Sequence, residues 1–227
     1  MISIIVPTYN ERGNLEPLIR RISGALAGRE AEIIIVDDDS PDRTWELAQE
    51  LAVRSPGPRI RVIRRIGERG LSSAVIRGFR AAEGEVIGVM DADLSHPPEV
   101  IPEAIRGMEN SDIVIASRYI PGGTCGLPLS RRIVSSAATL MARPLTRASD
   151  TMSGFFFVRR NLVEGIRIRP MGFKTLLDIV SSPKPKRISE VPYSYSPRVS
   201  GRSKMSAKTA LDYLVQLAYL YTQRIFR

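Results

Sequence analysis

Cysteine and histidine are all but missing from this chain of 227 residues: Cys125 and His96 each stand alone. One thiol forms no intrachain disulfide and one imidazole no His-rich metal centre. A disulfide scaffold, a four-thiolate zinc site and an iron-sulfur cluster are therefore excluded, and a reducing compartment is the simplest expectation. Glycine-rich phosphate motifs are lacking too. No G-x-G-x-x-G follows the first apolar run and no G-x-x-x-x-G-K-[ST] occurs anywhere, which counts against a dehydrogenase and against a P-loop NTPase. The opening MISIIVPTYN carries no basic leader and its apolar stretch stops at Pro7, so it is expected to be a buried strand and not a signal peptide. Nowhere does an apolar run reach the ~18 to 20 residues of a membrane span.

What is present is enough for a substantial core, at 43% apolar residues, and a charge distribution that changes along the chain. Residues 1–130 hold 15 Lys and Arg against 19 Asp and Glu, whereas residues 131–227 hold 18 against 5. The acidic and basic parts are expected to meet different partners. A basic surface by itself suits nucleic acid, anionic lipid or a phosphorylated substrate, and does not choose among them.

Apolar, β-branched runs recur at ISIIV (2–6), EIIIVD (32–37), RIRVIR (59–64), EVIGVMD (85–91) and DIVIAS (112–117). Runs of this kind suit strands covered on both faces, hence a mostly parallel sheet in an α/β fold with helices on both sides. Between them, one helix opens near Glu11 or Asn14. A second is predicted to start at a Ser40 cap with Pro41 in its first position, and HPPEVIPEAIRGM opens a third with prolines in its first turn. After a Gly- and Pro-rich stretch at 119–130, a helix is expected from Arg131 to about Thr146. Strands follow at SGFFFV (153–158) and KRISEVPYSY (186–195), with a short helix around FKTLLDIV between them. The last segment sets Leu211, Leu214, Val215, Ala218, Thr222, Ile225 and Phe226 on one helical stripe, and Leu217, Leu220 and Tyr221 add apolar surface on another side. Such a helix either packs on a core or lies at a lipid interface.

In an open parallel sheet, ligands sit beyond the carboxyl ends of the strands. The residues there are PTYNE, DDDS, DADLSHP and SRY, which bring two acidic clusters, an aromatic ring and an arginine together. Asp91 and Asp93, one residue apart in an extended segment, can both offer oxygen to a hard divalent cation, and the composition favours a metal-bound, phosphorylated ligand. Asp37 and Asp39 repeat the spacing, and turns or solvated caps produce it as well. His96 is expected to pack at a helix start beside Pro97 and Pro98 and not to bind metal. With no glycine-rich loop, phosphate recognition falls to arginines: Arg118, then Arg131 and Arg132, and RVSGRSK at 198–204. Arg131 and Ser135, four apart, share a helix face on which a guanidinium and a hydroxyl can hold one phosphate; a solvated basic face is the alternative.

At IIVPTYNERGNL, IIIVDDDSPDRTWE, GLSSAVIRGF, VMDADLSHPPEVIP and ASRYIPGG, and again at MSGFFFVRR, MGFKTLLDIV and EVPYSYSPRVSGRSK, the chain resembles the dolichyl-phosphate mannose synthases, inverting glycosyltransferases of family two with the GT-A fold. The blocks occur in family order over nearly the whole chain. The resemblance implies a Rossmann-like, mostly parallel open sheet, a glycosyltransferase domain over 1–204 and a C-terminal amphipathic helix over 205–227. By matching positions, Pro7, Tyr9 and Glu11 would line the nucleotide pocket, and Asp37, Asp38 and Asp39 would hold base and ribose. Asp91, Ala92 and Asp93 would lie against the donor diphosphate, with Asp91, Asp93 and Ser95 around a Mg²⁺ or Mn²⁺ ion. Many relatives have Gln at the Ser95 position; the shorter serine suggests a bridging water. Arg118, Arg131 and Ser135 would hold the acceptor phosphate, and Lys174, Arg198, Arg202 and Lys204 would close over the diphosphates. Asp150 is followed by Thr151 where the family usually has proline.

The implied reaction is transfer of mannose from GDP-mannose to dolichyl or polyprenyl phosphate with inversion, at the cytoplasmic face of a membrane. A phosphate monoester, with its second pKa near ~6, attacks without a catalytic carboxylate. The other implied partners are the membrane surface and, for members that work peripherally, a membrane-protein partner; no nucleic acid is expected. The alternatives are a polyprenyl-phosphate glucosyl- or N-acetylhexosaminyltransferase using a UDP-sugar and, in another class, a noncatalytic nucleotide-sugar or RNA-binding module, which would show no metal dependence.

Overall fold

The computed structural model describes residues 1–126, 129–164, 175–182, 186–196 and 207–225, with the backbone alone for 129–133, 207–209 and 225. All five apolar runs of the first half form strands: β1 (Ile2–Thr8), β2 (Ala31–Asp37), β3 (Arg59–Arg64), β4 (Val86–Val89) and β5 (Ile113–Ser117). They alternate with α1 (Arg12–Ala25), α2 (Thr44–Arg54), α3 (Leu71–Ala81) and α4 (Ile101–Gly107), the last entered through a 3₁₀ turn at Pro98–Val100. Then come β6 (Thr124–Cys125), α5 (Leu129–Ala142), β7 (Phe156–Arg159), α6 (Arg160–Val163), α7 (Thr175–Val180), β8 (Ile188–Pro192), β9 (Ser194–Tyr195) and α8 (Ala207–Ile225).

Seven strands make one sheet in the order β3-β2-β1-β4-β7-β5-β8, and β6 with β9 make a small parallel ladder. All pairings in the large sheet are parallel except those of β7, which runs antiparallel to both β4 and β5. That reversal places the residues preceding β7 at the same edge as the residues following β4 and β5. Successive strand residues bury to opposite faces, as the period of two requires. Ile5, Ile34, Val36, Ile87 and Phe156 pack under α3, α5, α7 and α8, while Ile4, Val6, Ile33, Ile35 and Phe157 pack under α1, α2 and α4. Pro7 is tolerated because pairing of β1 with β4 ends at Ile5 and Val89, so the missing N–H breaks no ladder bond on that side.

The predicted start of α2 needs correction. The helix opens at Thr44, not at a Ser40 cap, because Asp37 engages Ser40: it accepts the Ser40 N–H at 2.8 Å and the hydroxyl at 2.6 Å. Arg43, at the N-cap, takes a left-handed backbone (φ 60°) and makes no side-chain cap; Asp42 before it accepts the Thr44 N–H at 3.0 Å, satisfying one free donor of the first turn. The helix after residue 130 also ends four residues sooner than expected, at Ala142.

Candidate active site

The turn after β4 holds the paired acids. Asp93 is buried, and its Oδ1 accepts both the N–H (3.1 Å) and the hydroxyl (2.6 Å) of Ser95, itself buried. Asp91 remains open, with a third of its side chain accessible. Its N–H donates to His96 Nδ1 at 3.2 Å, so the neutral ring carries its proton on Nε2. His96 is buried, stacked on Phe155 and flanked edge-on by Tyr193 and Tyr195. Its packing partners are these rings and not the expected Pro97 and Pro98, and its Nδ1 is spent on the backbone of the acidic turn.

Gly154 explains how the turn and the ring come so close. A Cβ there would sit 3.0 Å from Asp91 Oδ2 and 3.2 Å from His96 Cε1, tighter than ordinary contact. Among the described residues no group of three or more His, Cys, Asp or Glu forms a ready-made metal cage. The accessible Asp91 carboxylate, with Asp93 buried behind it and bonded to Ser95, nonetheless suits a hard divalent cation that keeps places for phosphate oxygens and water.

The three acids after β2 have partners within the protein. Asp37 accepts the Thr8 hydroxyl at 2.7 Å besides Ser40. Asp38 accepts Arg65 Nε at 2.8 Å, a closer bond from Arg65 Nη2, and the Gly70 N–H at 2.8 Å. Asp39 accepts Arg64 Nε at 2.6 Å. The hydroxyls that follow them join the loop after β1 to this turn: Asn10 N–H donates to Ser40 Oγ and Glu11 N–H to Thr44 Oγ1, both at 3.0 Å. Tyr9 stands half-buried beside that seam, with the Arg69 guanidinium 4.8 Å from its ring centroid.

At the end of β5, Arg118 is buried against Asp150, donating Nε to Oδ2 and Nη2 to Oδ1, each at 2.8 Å. Burial alone would lower the pKa of Arg118, but the Asp150 carboxylate outweighs it and raises it. The neighbouring Tyr119 donates its hydroxyl to Ser135 Oγ at 3.0 Å, bringing α5 to the site. Tyr193 lies among Arg118, Asp150 and Asp91, and burial pushes its phenol well above the ordinary value of 10.0.

The sheet edge thus brings together Pro7, Tyr9, Glu11, the acids at 37–39, Asp91, Ala92, Asp93, Ser95, Arg118 and Ser135. Arg131 lies on α5 one turn before Ser135, but its side chain is outside the described residues, as are Lys174, Arg198, Arg202 and Lys204. The sequence reading missed Asp150, Gly154, Phe155, Tyr193 and Tyr195. The reversal of β7 brings the first three to the site; a D-x-x-x-G spacing before an apolar run carries no signal for that.

The family model for glycosyl transferase family 2 matches residues 3–167. A dolichol-phosphate mannosyltransferase of Pyrococcus furiosus is 51% identical over 219 residues, covering 94% of this chain and 61% of the relative. One from Saccharomyces cerevisiae is 41% identical over 234 residues, covering 96% and 86%. The chain therefore spans about three fifths of the Pyrococcus protein's length. Among solved structures, glucosyl-3-phosphoglycerate synthase from Mycobacterium tuberculosis in complex with Mn²⁺, UDP and glucosyl-3-phosphoglycerate superposes with a TM-score of 0.69 at 20% identity, covering 99% of this chain and 79% of that one.

Proposed function

The chain belongs to glycosyltransferase family 2 and has the GT-A fold, and from that premise we propose that it transfers mannose from GDP-mannose to a dolichyl or polyprenyl phosphate with inversion. The observation that carries the reading is the placing, at the ends of β4 and β5 on either side of β7, of the turn with accessible Asp91 and buried Asp93 and of a guanidinium fixed at Arg118. The first suits a cation on a diphosphate, the second a phosphate monoester. The names of the curated relatives, dolichol-phosphate mannosyltransferases, support mannose as the sugar transferred and a dolichyl phosphate as the acceptor.

Attack by an acceptor phosphate oxygen forms a new bond to the anomeric carbon as the bond to the donor diphosphate breaks on the opposite face. With a second pKa near ~6 the acceptor is already dianionic at neutral pH, so no side chain need take a proton from it. Two anions must instead be held close together. Arg118 binds the acceptor phosphate, and Tyr119 and Ser135 bound the same side of the site. Tyr9 and Glu11 line the nucleotide pocket at the seam after β1. Asp91 and Asp93 would hold Mg²⁺ or Mn²⁺, with Ser95 orienting Asp93; such a cation would supply positive charge against the leaving diphosphate. Lys174, Arg131, Arg198, Arg202 and Lys204 complete the cationic surroundings in this reading.

No helix among the described residues is long and apolar enough to cross a membrane. Access to a lipid-borne acceptor is proposed to come from peripheral contact, at the cytoplasmic face, through the exposed apolar side chains of α5 and α8.

The test is incubation of the purified chain with labelled GDP-mannose and a polyprenyl phosphate, with and without Mg²⁺ or Mn²⁺, with UDP-glucose as the competing donor. Label in the lipid phase is expected from GDP-mannose with metal, falling by at least about a hundredfold in Asp93→Ala. Full transfer by that variant, or label from UDP-glucose instead, contradicts the proposal.

A further inference from the structure

We propose that Asp150 is a positioning residue that fixes the guanidinium of Arg118 toward the acceptor, with Glu190 holding Asp150 in place; this deepens, and rests on, the acceptor reading of Arg118 given above. Asp150 has no accessible surface and lies in the segment between α5 and β7. Its carboxylate takes three donors from one residue: Nε and Nη2 of Arg118 at 2.8 Å and the Arg118 N–H at 3.1 Å. Both ends of the arginine are thereby fixed. From β8, Glu190 accepts the Asp150 N–H at 3.1 Å and the Ser149 N–H at 2.9 Å, anchoring the backbone that carries the carboxylate.

The same contacts decide which part of Arg118 meets a ligand. The Nε/Nη2 edge is occupied by Asp150. The Tyr119 and Tyr195 ring centroids lie 5.2 and 5.8 Å from Cζ. Among the described residues Nη1 makes no hydrogen bond, so the edge shared by Nη1 and the outer N–H of Nη2 is the one presented. A buried carboxylate at 2.8 Å also cancels most of the charge that draws an anion. If attraction were the only need, Asp150 would work against it; what it contributes is direction, because a guanidinium binds phosphate through a planar fork whose orientation matters.

The experiment compares Asp150→Asn, Arg118→Met and the double variant with the parent chain. It measures Michaelis constants for GDP-mannose and for polyprenyl phosphate, together with thermal unfolding. Asn matches the shape of Asp but turns an amide against an N–H donor, so Asp150→Asn is expected to raise the acceptor constant about 10- to 100-fold. The GDP-mannose constant should stay within about twofold, and adding Asp150→Asn to Arg118→Met should change the acceptor constant by less than about twofold. A fall in kcat that tracks the folded fraction, with both constants unchanged, means a structural role only and overturns the proposal, as does a full Asp150 effect in the Arg118→Met background. If Arg118→Met itself leaves the acceptor constant unchanged, the acceptor reading fails and takes this proposal with it. An inert Asp150→Asn beside an effective Arg118→Met overturns the positioning role alone. Should Asp150→Asn not fold, Glu190→Gln, which weakens only the two backbone bonds, is expected to raise the acceptor constant about two- to tenfold; an unchanged constant overturns the proposal.

Discussion

Buried carboxylates need donors, because an ion withdrawn from water without them costs several kcal/mol. Asp37, Asp38 and Asp150 each meet that need from within the protein: from Thr8 and Ser40, from Arg65 and Gly70, and from Arg118. Asp91 differs in that a third of its side chain is accessible. The space that makes this arrangement fit is at Gly154, where an added Cβ would press on Asp91 Oδ2 and His96 Cε1. Gly154→Ala should therefore shift the Asp91 carboxylate by a few tenths of an ångström. In metal titrations of transfer, that displacement is expected to raise the half-saturating Mn²⁺ concentration by about three- to tenfold, with little loss of thermal stability. An unchanged titration curve would mean that Asp91 does not depend on this close fit.

Among the elements, those set by apolar patterning were legible in the sequence: β1 to β5 and the proline-led entry to α4 stand where their runs predicted. The elements that depend on partners distant in sequence were not. The start of α2 is moved by the bonds of Asp37 to Ser40, and the direction of β7 follows from its place between β4 and β5, which no local pattern encodes. Correspondingly, Asp91 and Asp93 could be read as a pair, whereas Asp150 and Tyr193 come into the site only through the sheet. α8 shows both outcomes. The predicted arc of Leu217, Leu220 and Tyr221 packs on the core, and Tyr213, which neither predicted set contains, is buried beside Leu217 and donates its hydroxyl to the Ala138 carbonyl of α5 at 2.6 Å. The predicted main stripe faces outward, with Leu211, Leu214 and Val215 exposed at 61%, 49% and 44%, and Val134, Leu140 and Met141 on α5 are exposed as well. The two arcs should respond differently. Tyr213→Ala is expected to cost about 3 to 5 kcal/mol of stability in urea unfolding. Leu211→Glu with Leu214→Glu should leave the unfolding midpoint nearly unchanged while removing most of the protein from sedimenting anionic vesicles. Equal sedimentation of that double variant and the parent chain would exclude this face from the proposed membrane contact.

At the scale of the whole molecule, one buried charge network lies at the sheet edge away from the chemistry, which makes its effect on stability separable. Beyond the carboxyl ends of the parallel strands lie the acidic turn and Arg118. At the other edge, Glu32 near the start of β2 is buried and accepts the Ser3 hydroxyl at 2.6 Å, the Glu83 N–H at 2.8 Å and Arg61 Nη1 at 3.1 Å. Burial opposes its ionisation, but those donors outweigh burial and hold its pKa below 4.5. Between the folded pKa and 4.5 the unfolded chain binds more protons, so this contribution to stability is fully present above 4.5 and is lost as pH falls through the folded value. Glu32→Gln keeps the shape of the side chain and removes the charge. It is expected to lower the unfolding free energy by about 1 to 3 kcal/mol near neutral pH, with the gap to the parent chain narrowing as the pH is taken down to about 3. Both Michaelis constants should stay as they are, since no residue of this network reaches the site. A gap independent of pH would show that Glu32 acts through packing and not through its charge, and an altered acceptor constant would show that the two edges of the sheet are coupled.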